Sequence, residues 1–191
     1  ILLILFLFLG IYPFGNNTVL TGDLYTQVSA LFYHLWDVFL GNGSLLVDYT
    51  SGGGESFFGI FSYYLVSPIN FIVLFFKRSD IYLAISLVVM IKMVLSAITC
   101  LYSLKYLFKK DNKMFIFLAL LYAFSGYSLI NYQITAWMDV VYMFPLIVVG
   151  LKKLINEDKP YMDYIIFNNM FFILFSLYDD YIYIFISVYL Y

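Results

Sequence analysis

Residues 81–108, "IYLAISLVVMIKMVLSAITCLYSLKYLF", form an apolar run of 28 residues whose only charged side chains are Lys92 and Lys105. A helix needs about 20 apolar residues to cross the hydrocarbon core of a bilayer. The run is therefore predicted to be a transmembrane helix. A charge in the interior of such a helix is costly unless it is paired, so we expect Lys92 to lie in a buried ion pair or in a site.

The composition of the whole chain agrees with this prediction. Of the 191 residues, 64% are hydrophobic and 12% are charged, whereas soluble domains are about half apolar and about a quarter charged. The net charge of −2 gives no basic footprint for nucleic acid. The single cysteine, Cys100, allows no intramolecular disulfide and suggests no thiolate metal site. We expect an integral membrane protein without a metal or a cofactor.

Five apolar runs are predicted to be membrane spans: 1–12, 81–108, 114–131, 138–151 and 161–191. The first is truncated and the fourth is short; the last could be broken at Asp179–Asp180. The chain begins and ends within apolar runs, so we interpret it as a segment of a longer polytopic protein. The first run could instead be the hydrophobic region of a signal peptide, but no small-residue cleavage site follows it.

Residues 13–80 are predicted to be one large loop that carries its own helices. Within it, Leu24–Leu40 has apolar residues at helical spacing, and Gly22-Asp23 offers an N-cap. Residues 57–76 are apolar but are interrupted by Ser67-Pro68. Proline removes a backbone donor and disfavours helix at the residue before it, so this segment is predicted to be re-entrant or interfacial rather than a span.

The distribution of lysines predicts the orientation. Lys109–Lys113 and Lys152–Lys159 hold most of the cations, which places both connections in the cytoplasm and residues 13–80 outside. The acids then collect on the outer face, where they suggest a site: Asp23, Asp37, Asp48, Glu55, Asp139, Asp179 and Asp180. The alternative interpretation is that outer loops merely lack cations. His34 is interpreted as a packing or interface residue.

Several motifs resemble those of the bacterial YfhO family of membrane proteins. They are "YPFG…TVLTGDLYTQ", "GGGESFFGIFSYYLVSPINFIVLFF", "IKMVLSAITCLYSLKYL", "LLYAFSGYSLI" and "AWMDVVYMFPLIVVGLKKL". The resemblance covers essentially all 191 residues in the same order. Because members of the family are much longer, it implies that this chain is the N-terminal portion of such a protein. It implies an all-α, polytopic transmembrane bundle of the GT-C type with a large first extracytoplasmic loop. The implied location is the bacterial plasma membrane, as a multi-pass protein with its active site facing outside.

The resemblance also implies an activity. It points to a glycosyltransferase that takes a sugar from a polyprenyl-phosphate donor and adds it to a cell-envelope polymer such as teichoic acid on the outer face. The implied partners are that donor, the polymer acceptor and membrane lipids. A transporter or flippase of a lipid-linked precursor is the alternative, which would bind the same lipid without chemistry.

Glycosyl transfer needs a carboxylate to accept the proton of the acceptor hydroxyl, and donors or cations for the leaving phosphate. The resemblance maps the family's first-loop acid onto Asp23, which we predict to be the base. Asp139, beside Trp137, is the second predicted catalytic acid. The predicted substrate-binding residues are Gln27, Glu55, Tyr63, Tyr64, Asn70, Lys77 and Arg78.

Overall fold

The computed structural model describes residues 2–49 and 53–156. This part of the chain is helical and contains no β-strand, only two isolated bridges. The α-helical elements are α1 (Leu2–Phe8), α2 (Ser29–Phe39), α3 (Phe57–Ile60), α4 (Ile81–Phe108), α5 (Met114–Ala123), α6 (Gly126–Asn131) and α7 (Thr135–Asn156). The predicted span 161–191, with Asp179 and Asp180, lies outside the described residues.

Helix α4 is the centre of the structure. It is about 42 Å long, since an α-helix rises about 1.5 Å per residue, and it packs against α5, α7 and the apolar segment before it. Three helical stretches of the described chain are long and apolar enough to cross a membrane: Arg78–Phe108, Met114–Asn131 and Thr135–Lys153. Each contains residues of one of the predicted spans.

The structure changes the bounds of two of these spans. The predicted run 114–131 is two helices, α5 and α6, separated at Phe124-Ser125, where the Ser125 side chain accepts a hydrogen bond from the backbone N–H of Ser128. Helix α7 is longer at both ends than the predicted run 138–151. The predicted run was too short because it left out Thr135, Ala136 and Trp137 after the preceding polar turn and stopped before Lys152 and Lys153.

Pro145 lies inside α7, where it cannot donate to the carbonyl of Val141 one turn earlier. The hydroxyl of Tyr122, on α5, donates to that carbonyl at 2.7 Å. A second hydroxyl, that of Ser103 on α4, donates to the carbonyl of Pro145 at 2.7 Å. Both hydroxyls join α7 to its neighbours. Because Tyr122 donates to the Val141 carbonyl, the proline does not leave that carbonyl without a hydrogen-bond donor at membrane depth.

Residues 57–75 form a bent segment rather than one straight helix. Phe57–Leu65 is α3 followed by a π-helical turn, Pro68–Phe75 is a 3₁₀-helix, and the two halves meet at 106°. The bend lies at Ser67-Pro68, where the sequence predicted a break. Whether the bent segment crosses the membrane or returns to its outer face stays a prediction.

The predicted helix Leu24–Leu40 is present as a π-helical turn, Leu24–Val28, that continues into α2. Its predicted apolar face is confirmed, because four of the five side chains that define it are buried: Leu24, Val28, Leu31 and Leu35. Helix α1 is shorter than the predicted span 1–12, since the chain turns at Gly10, which has a left-handed φ of 61°. The segment between α1 and α4 therefore packs on the bundle and is not an open loop.

Candidate functional site

The turn before α7 holds the chain at Asp23. The backbone N–H of Asp23 donates to the side-chain Oε1 of Gln133 at 3.0 Å. The amide of Gln133 is also held at its other end, where Nε2 donates to the carbonyl of Ile130 at 3.5 Å. Beside it, the hydroxyls of Thr21 and Tyr132 are 2.7 Å apart. Two segments that are more than a hundred residues apart in the chain thus meet at the predicted catalytic acid.

Gly22 makes this approach possible. It has a φ of +50°, a left-handed conformation that costs little only for glycine. A Cβ at this position would overlap Oε1 of Gln133. The glycine therefore supplies both the backbone turn and the space for the glutamine that binds Asp23.

The side chain of Asp23 does not cap the helix that follows, so that prediction is wrong. Asp23 itself has helical dihedral angles, φ −65° and ψ −28°, and its carboxylate makes no capping hydrogen bond. The side chain is exposed and has no hydrogen bond or ion pair with residues 2–49 or 53–156. Its carboxylate oxygens are open to an incoming group.

A series of contacts between aromatic and amide side chains starts beside this carboxylate. The Gln27 amide, one helical turn after Asp23, donates to the Tyr64 hydroxyl at 3.4 Å, and Asp23 is close enough to interact electrostatically with Tyr64. The Tyr63 and Tyr64 rings meet edge to face at 4.4 Å, and the Trp137 indole donates to the Tyr63 hydroxyl at 3.3 Å. We call this group the Asp23 cluster: Asp23, Gln27, Tyr63, Tyr64, Gln133 and Trp137.

Asp139 lies apart from the exposed acids. It is fully buried and one turn into α7, with Oδ2 at 2.8 Å from the ammonium of Lys92 on α4. The same ammonium donates to the carbonyl of Thr135 at 3.0 Å, and the hydroxyl of Ser67 donates to Oδ1 of Asp139 at 2.9 Å. The sequence predicted a partner for Lys92; the structure identifies it. These contacts join α4, α7 and the break of the bent segment.

Asn70 braces the same break. It is fully buried, its backbone N–H donates to the carbonyl of Ser67 at 2.9 Å, and its side-chain Nδ2 donates to the carbonyl of Tyr64 at 3.3 Å. The structure thus gives Asn70 a role in shaping the segment that carries Tyr63 and Tyr64. The side-chain amide of Asn70 is buried, and it contacts the Asp23 cluster at the backbone carbonyl of Tyr64.

Lys77 and Arg78 lie at the opposite end of the helix that begins beside Asp23. Arg78 binds the Asp37 carboxylate through two hydrogen bonds, of 2.8 and 2.9 Å, and its guanidinium covers the Tyr33 ring at 5.3 Å. Asp23 and Asp37 are on one continuous helix, so a rise of about 1.5 Å per residue separates them by about 20 Å. Lys77 is exposed next to Arg78. The structure therefore does not bring these two cations to the Asp23 cluster.

Glu55 is connected to His34 of α2 through Asp48. His34 packs edge to face on Phe57 at 4.3 Å, and its Nδ1 lies 3.4 Å from the buried carboxylate of Asp48, as expected for a packing histidine. The backbones of Asp48 and Glu55 pair with each other, and the Glu55 side chain is exposed. Within the described ranges, no three His, Cys, Asp or Glu side chains are grouped as metal ligands.

Helices long enough to span a bilayer, a buried charge pair between them and a helical segment packed at their ends define an α-helical membrane protein. The family model described as "Bacterial membrane protein YfhO" matches residues 1–191, so the chain belongs to the YfhO family. This confirms the resemblance recognised in the motifs. No curated protein matches the chain, and no solved structure does.

Several residues of the site were not predicted from the sequence. Gln133, Tyr132 and Trp137 lie in the stretch "NYQITAWMD", in which only Asp139 was assigned a site role from the sequence. Ser67 was read as part of a helix break and not as a hydrogen-bond donor. The sequence does contain a feature that could have identified Gln133. It is a polar residue between two apolar runs, on the same predicted side of the membrane as Asp23.

Proposed function

We propose that this protein is a membrane glycosyltransferase that moves a sugar from a polyprenyl-phosphate donor to a cell-envelope acceptor, such as teichoic acid, on the outer face. Membership of the YfhO family supports a membrane protein of this kind. The observation that carries the proposal is the Asp23 carboxylate, which is exposed and makes no hydrogen bond or ion pair with the described residues, while its backbone N–H donates to Gln133.

Asp23 is the general base in this proposal. The proton of the acceptor hydroxyl passes to its carboxylate, and the hydroxyl oxygen forms a bond to the anomeric carbon of the donor sugar. The bond from that carbon to the phosphate oxygen breaks, and its electron pair leaves with the lipid phosphate. A base at hydrogen-bonding distance contributes typically about 10²–10⁴-fold to the rate of such a step.

The other members of the Asp23 cluster fit a sugar. Hexoses present apolar ring faces and many hydroxyls, which suit aromatic faces and amide groups. Tyr63, Tyr64 and Trp137 supply rings, and Gln27 supplies an amide next to the carboxylate. The hydroxyl and amide donors here are the groups near enough to face the leaving phosphate, because Lys77 and Arg78 lie about 20 Å away along the helix.

A lipid-linked donor also needs a place for its chain. A cavity of about 210 Å³ opens between α1, α4 and α5. All of its lining side chains are apolar: Leu2, Leu3, Met93, Val94, Ala97, Ile98, Leu120, Ala123 and Phe124. Because it lies within two of the helices that can span the bilayer, it suits part of a hydrocarbon chain.

The test replaces Asp23 by Asn in the full-length protein. Asn has the same shape and cannot accept the proton, and within residues 2–49 and 53–156 the Asp23 side chain makes no hydrogen bond that the substitution would remove. We expect normal protein levels and a loss of about 10²–10⁴-fold in sugar transfer. The sugar content of the envelope polymer, compared at matched protein level in a strain that lacks the wild-type gene, measures this.

Asp80→Asn is the matched control. Asp80 lies just before α4 and two residues after Arg78, which binds Asp37 far from the Asp23 cluster. The Asp80 carboxylate accepts a hydrogen bond from the neighbouring Ser79 hydroxyl at 3.0 Å. The control variant removes one carboxylate charge from the same predicted face and should keep normal transfer. Equal transfer by wild type and Asp23→Asn would refute the assignment of the base.

A flippase of a lipid-linked precursor remains the second candidate, and one observation favours it. The Lys92–Asp139 pair is buried between helices that can span the membrane, at the break of the bent segment, and transporters place charged sites beside broken helices. A flippase would move the lipid without forming a glycosidic bond. Purified protein with a polyprenyl-phosphate sugar and acceptor distinguishes the two, since only a transferase yields a glycosylated acceptor.

A further inference from the structure

The lysines at the far end of the helix bundle form one surface. Tyr106 near the end of α4 and Lys153 in the last turns of α7 are in contact, with the ammonium 5.6 Å from the ring centre. The connection from α4 to α5 begins at the same end. We call this surface the lysine patch: Lys105, Lys109, Lys110, Lys113, Lys152 and Lys153.

The patch has little compensating charge within the described residues. Lys105 pairs with Asp111 at 2.8 Å, and Asp111 is the one acid of the described patch. Lys109, Lys110 and Lys113 are exposed, and no ion pair joins them to the described chain. The sequence continues after α7 with Glu157, Asp158 and Lys159, which lie outside the described residues. Clustered charges of one sign repel each other, so the patch favours an anionic partner.

The connection that carries these lysines is ordered. Lys109 ends α4 in a left-handed conformation with a φ of 51°. Asn112 then accepts a hydrogen bond from the backbone N–H of Met114 at 2.9 Å, at the start of α5. The Phe108 and Phe115 rings pack at 5.6 Å across the connection. The ammonium groups therefore project from a fixed backbone.

Exposed apolar side chains adjoin the lysines. Phe108 is 60% exposed, Met114 is 56% exposed and Tyr102 is 47% exposed. In a helix that spans a bilayer, aromatic residues at this position lie at headgroup level beside the acyl chains. A soluble anion would contact only the charges, whereas one phospholipid contacts the charges with its headgroup and these apolar side chains with its acyl chains.

We propose that the lysine patch binds the headgroups of anionic phospholipids in the leaflet at this end of the bundle, which is the cytoplasmic leaflet in the predicted orientation. Each lysine near an anionic membrane surface contributes about 1 kcal/mol, which is about 5-fold in affinity. The three lysines of the connection together contribute about 10²-fold on this scale. This inference does not depend on the reaction proposed for the Asp23 cluster.

The experiment titrates the delipidated full-length protein with phosphatidylglycerol or phosphatidylcholine and counts bound lipids by native mass spectrometry. We expect the wild type to prefer phosphatidylglycerol. The triple variant Lys109→Gln, Lys110→Gln and Lys113→Gln should bind phosphatidylglycerol about 10²-fold more weakly and phosphatidylcholine unchanged. Lys77→Gln, which removes an exposed lysine from the other end, should leave both affinities unchanged.

Two outcomes would overturn the proposal. The first is an unchanged preference for phosphatidylglycerol in the triple variant, since the lipid would then bind elsewhere. The second is displacement of phosphatidylglycerol by an equal concentration of inorganic phosphate, which would indicate a small-anion site. If the triple variant does not fold, the three single variants give the same test, each with an expected loss of about 5-fold.

Discussion

The ammonium of Lys92 lies 2.8 Å from the carboxylate of Asp139, and both side chains are fully buried. Ser67 donates to the other oxygen of that carboxylate. The pair therefore fixes the bent segment against α4 and α7, and the bent segment in turn carries Tyr63 and Tyr64 to the Asp23 cluster. These contacts suit a positioning role for Asp139. Experiments must separate that role from the catalytic role predicted for Asp139 from the sequence.

Asp139→Asn should destabilise the protein strongly. The change leaves the Lys92 ammonium buried without a counter-charge, and breaking a buried pair in this way typically costs about 3–5 kcal/mol. The expected result is a large loss of protein from the membrane and a lower melting temperature in detergent. Asp139 was predicted as a catalytic acid, so a loss of sugar transfer alone would not tell the two roles apart.

The double variant Lys92→Met, Asp139→Leu separates them. Replacement of both charges by apolar residues of similar volume is often neutral or stabilising, so stability should return toward wild type. If Asp139 acts only by positioning, transfer should recover with stability. A stable double variant without any transfer would instead support chemistry at Asp139, and a double variant less stable than Asp139→Asn would contradict the ion-pair argument.

Gly22→Ala should disturb the Asp23 cluster. A left-handed conformation costs a residue with a Cβ about 1–2 kcal/mol, and the added methyl group would also displace the Gln133 amide that binds the Asp23 backbone. We expect a lower melting temperature together with reduced transfer. Gly59→Ala is the control, since that glycine lies in α3 with no atom near its Cβ position and the change should be neutral or slightly stabilising.

A further variant tests whether the clash with Gln133 contributes to the destabilisation by Gly22→Ala. In the Gly22→Ala background, Gln133→Ala removes the clash but not the backbone strain. The effects of the two substitutions should therefore be non-additive, as is usual for residues in contact. Strict additivity in melting temperature would show that the glycine is needed for its conformation alone.

The local features of this fold could be predicted from the sequence. Apolar runs located the long helices, the spacing of Leu24, Val28, Leu31 and Leu35 gave the buried face before and within α2, and Ser67-Pro68 marked the bend. These features depend on residues that are near one another in the chain. Helical periodicity and the effects of proline act over one or two helical turns, so they can be recognised in a single sequence.

The arrangement of the site depended on distant contacts, and there the sequence was less informative. It indicated that Lys92 needs a partner but could not choose Asp139 among the acids. It grouped Lys77 and Arg78 with Asp23 because all lie in one predicted outer loop, whereas a continuous helix holds them about 20 Å apart. The predicted N-cap at Asp23 was also wrong. The conformation there depends on the left-handed Gly22 and on the hydrogen bond to Gln133, and tertiary packing sets both.

The Asp37–Arg78 pair predicts a small dependence of stability on pH. The hydrogen bond from Arg78 lowers the pKa of the Asp37 carboxyl below its ordinary value. A carboxyl whose pKa is lower in the folded state stabilises the protein above its unfolded pKa, and that contribution is lost as the pH falls through the folded pKa. The pair is partly exposed, so it should contribute only about 0.2–1 kcal/mol.

Asp37→Asn measures this contribution. Wild type and variant should differ slightly in melting temperature at pH 7, and the difference should shrink as the pH falls below about 4, where the unfolded carboxyl protonates. High salt should shrink it too, since exposed charges are screened. A difference that grows with acidification would contradict the sign of the linkage. Transfer should be unaffected, because the pair lies away from the Asp23 cluster.

Tyr122→Phe tests how α7 tolerates Pro145. The Tyr122 hydroxyl donates to the Val141 carbonyl, which has lost its helical donor to the proline. Removal of the hydroxyl leaves this carbonyl unsatisfied, at an expected cost of about 1–3 kcal/mol. Melting temperature in detergent measures the loss. Tyr102→Phe is the control, because Tyr102 is 47% exposed and the change should have little effect.

The rescue of Tyr122→Phe by Pro145→Ala is the sharper part of this prediction. Alanine restores a backbone N–H at position 145, which can donate to the Val141 carbonyl one turn earlier in α7. Tyr122→Phe should therefore cost clearly less in the Pro145→Ala background than in the wild type, and the difference is the coupling energy of the cycle. If Tyr122→Phe costs the same in both backgrounds, the hydroxyl is not replacing the donor that the proline removes, and the tolerance of Pro145 must have another cause.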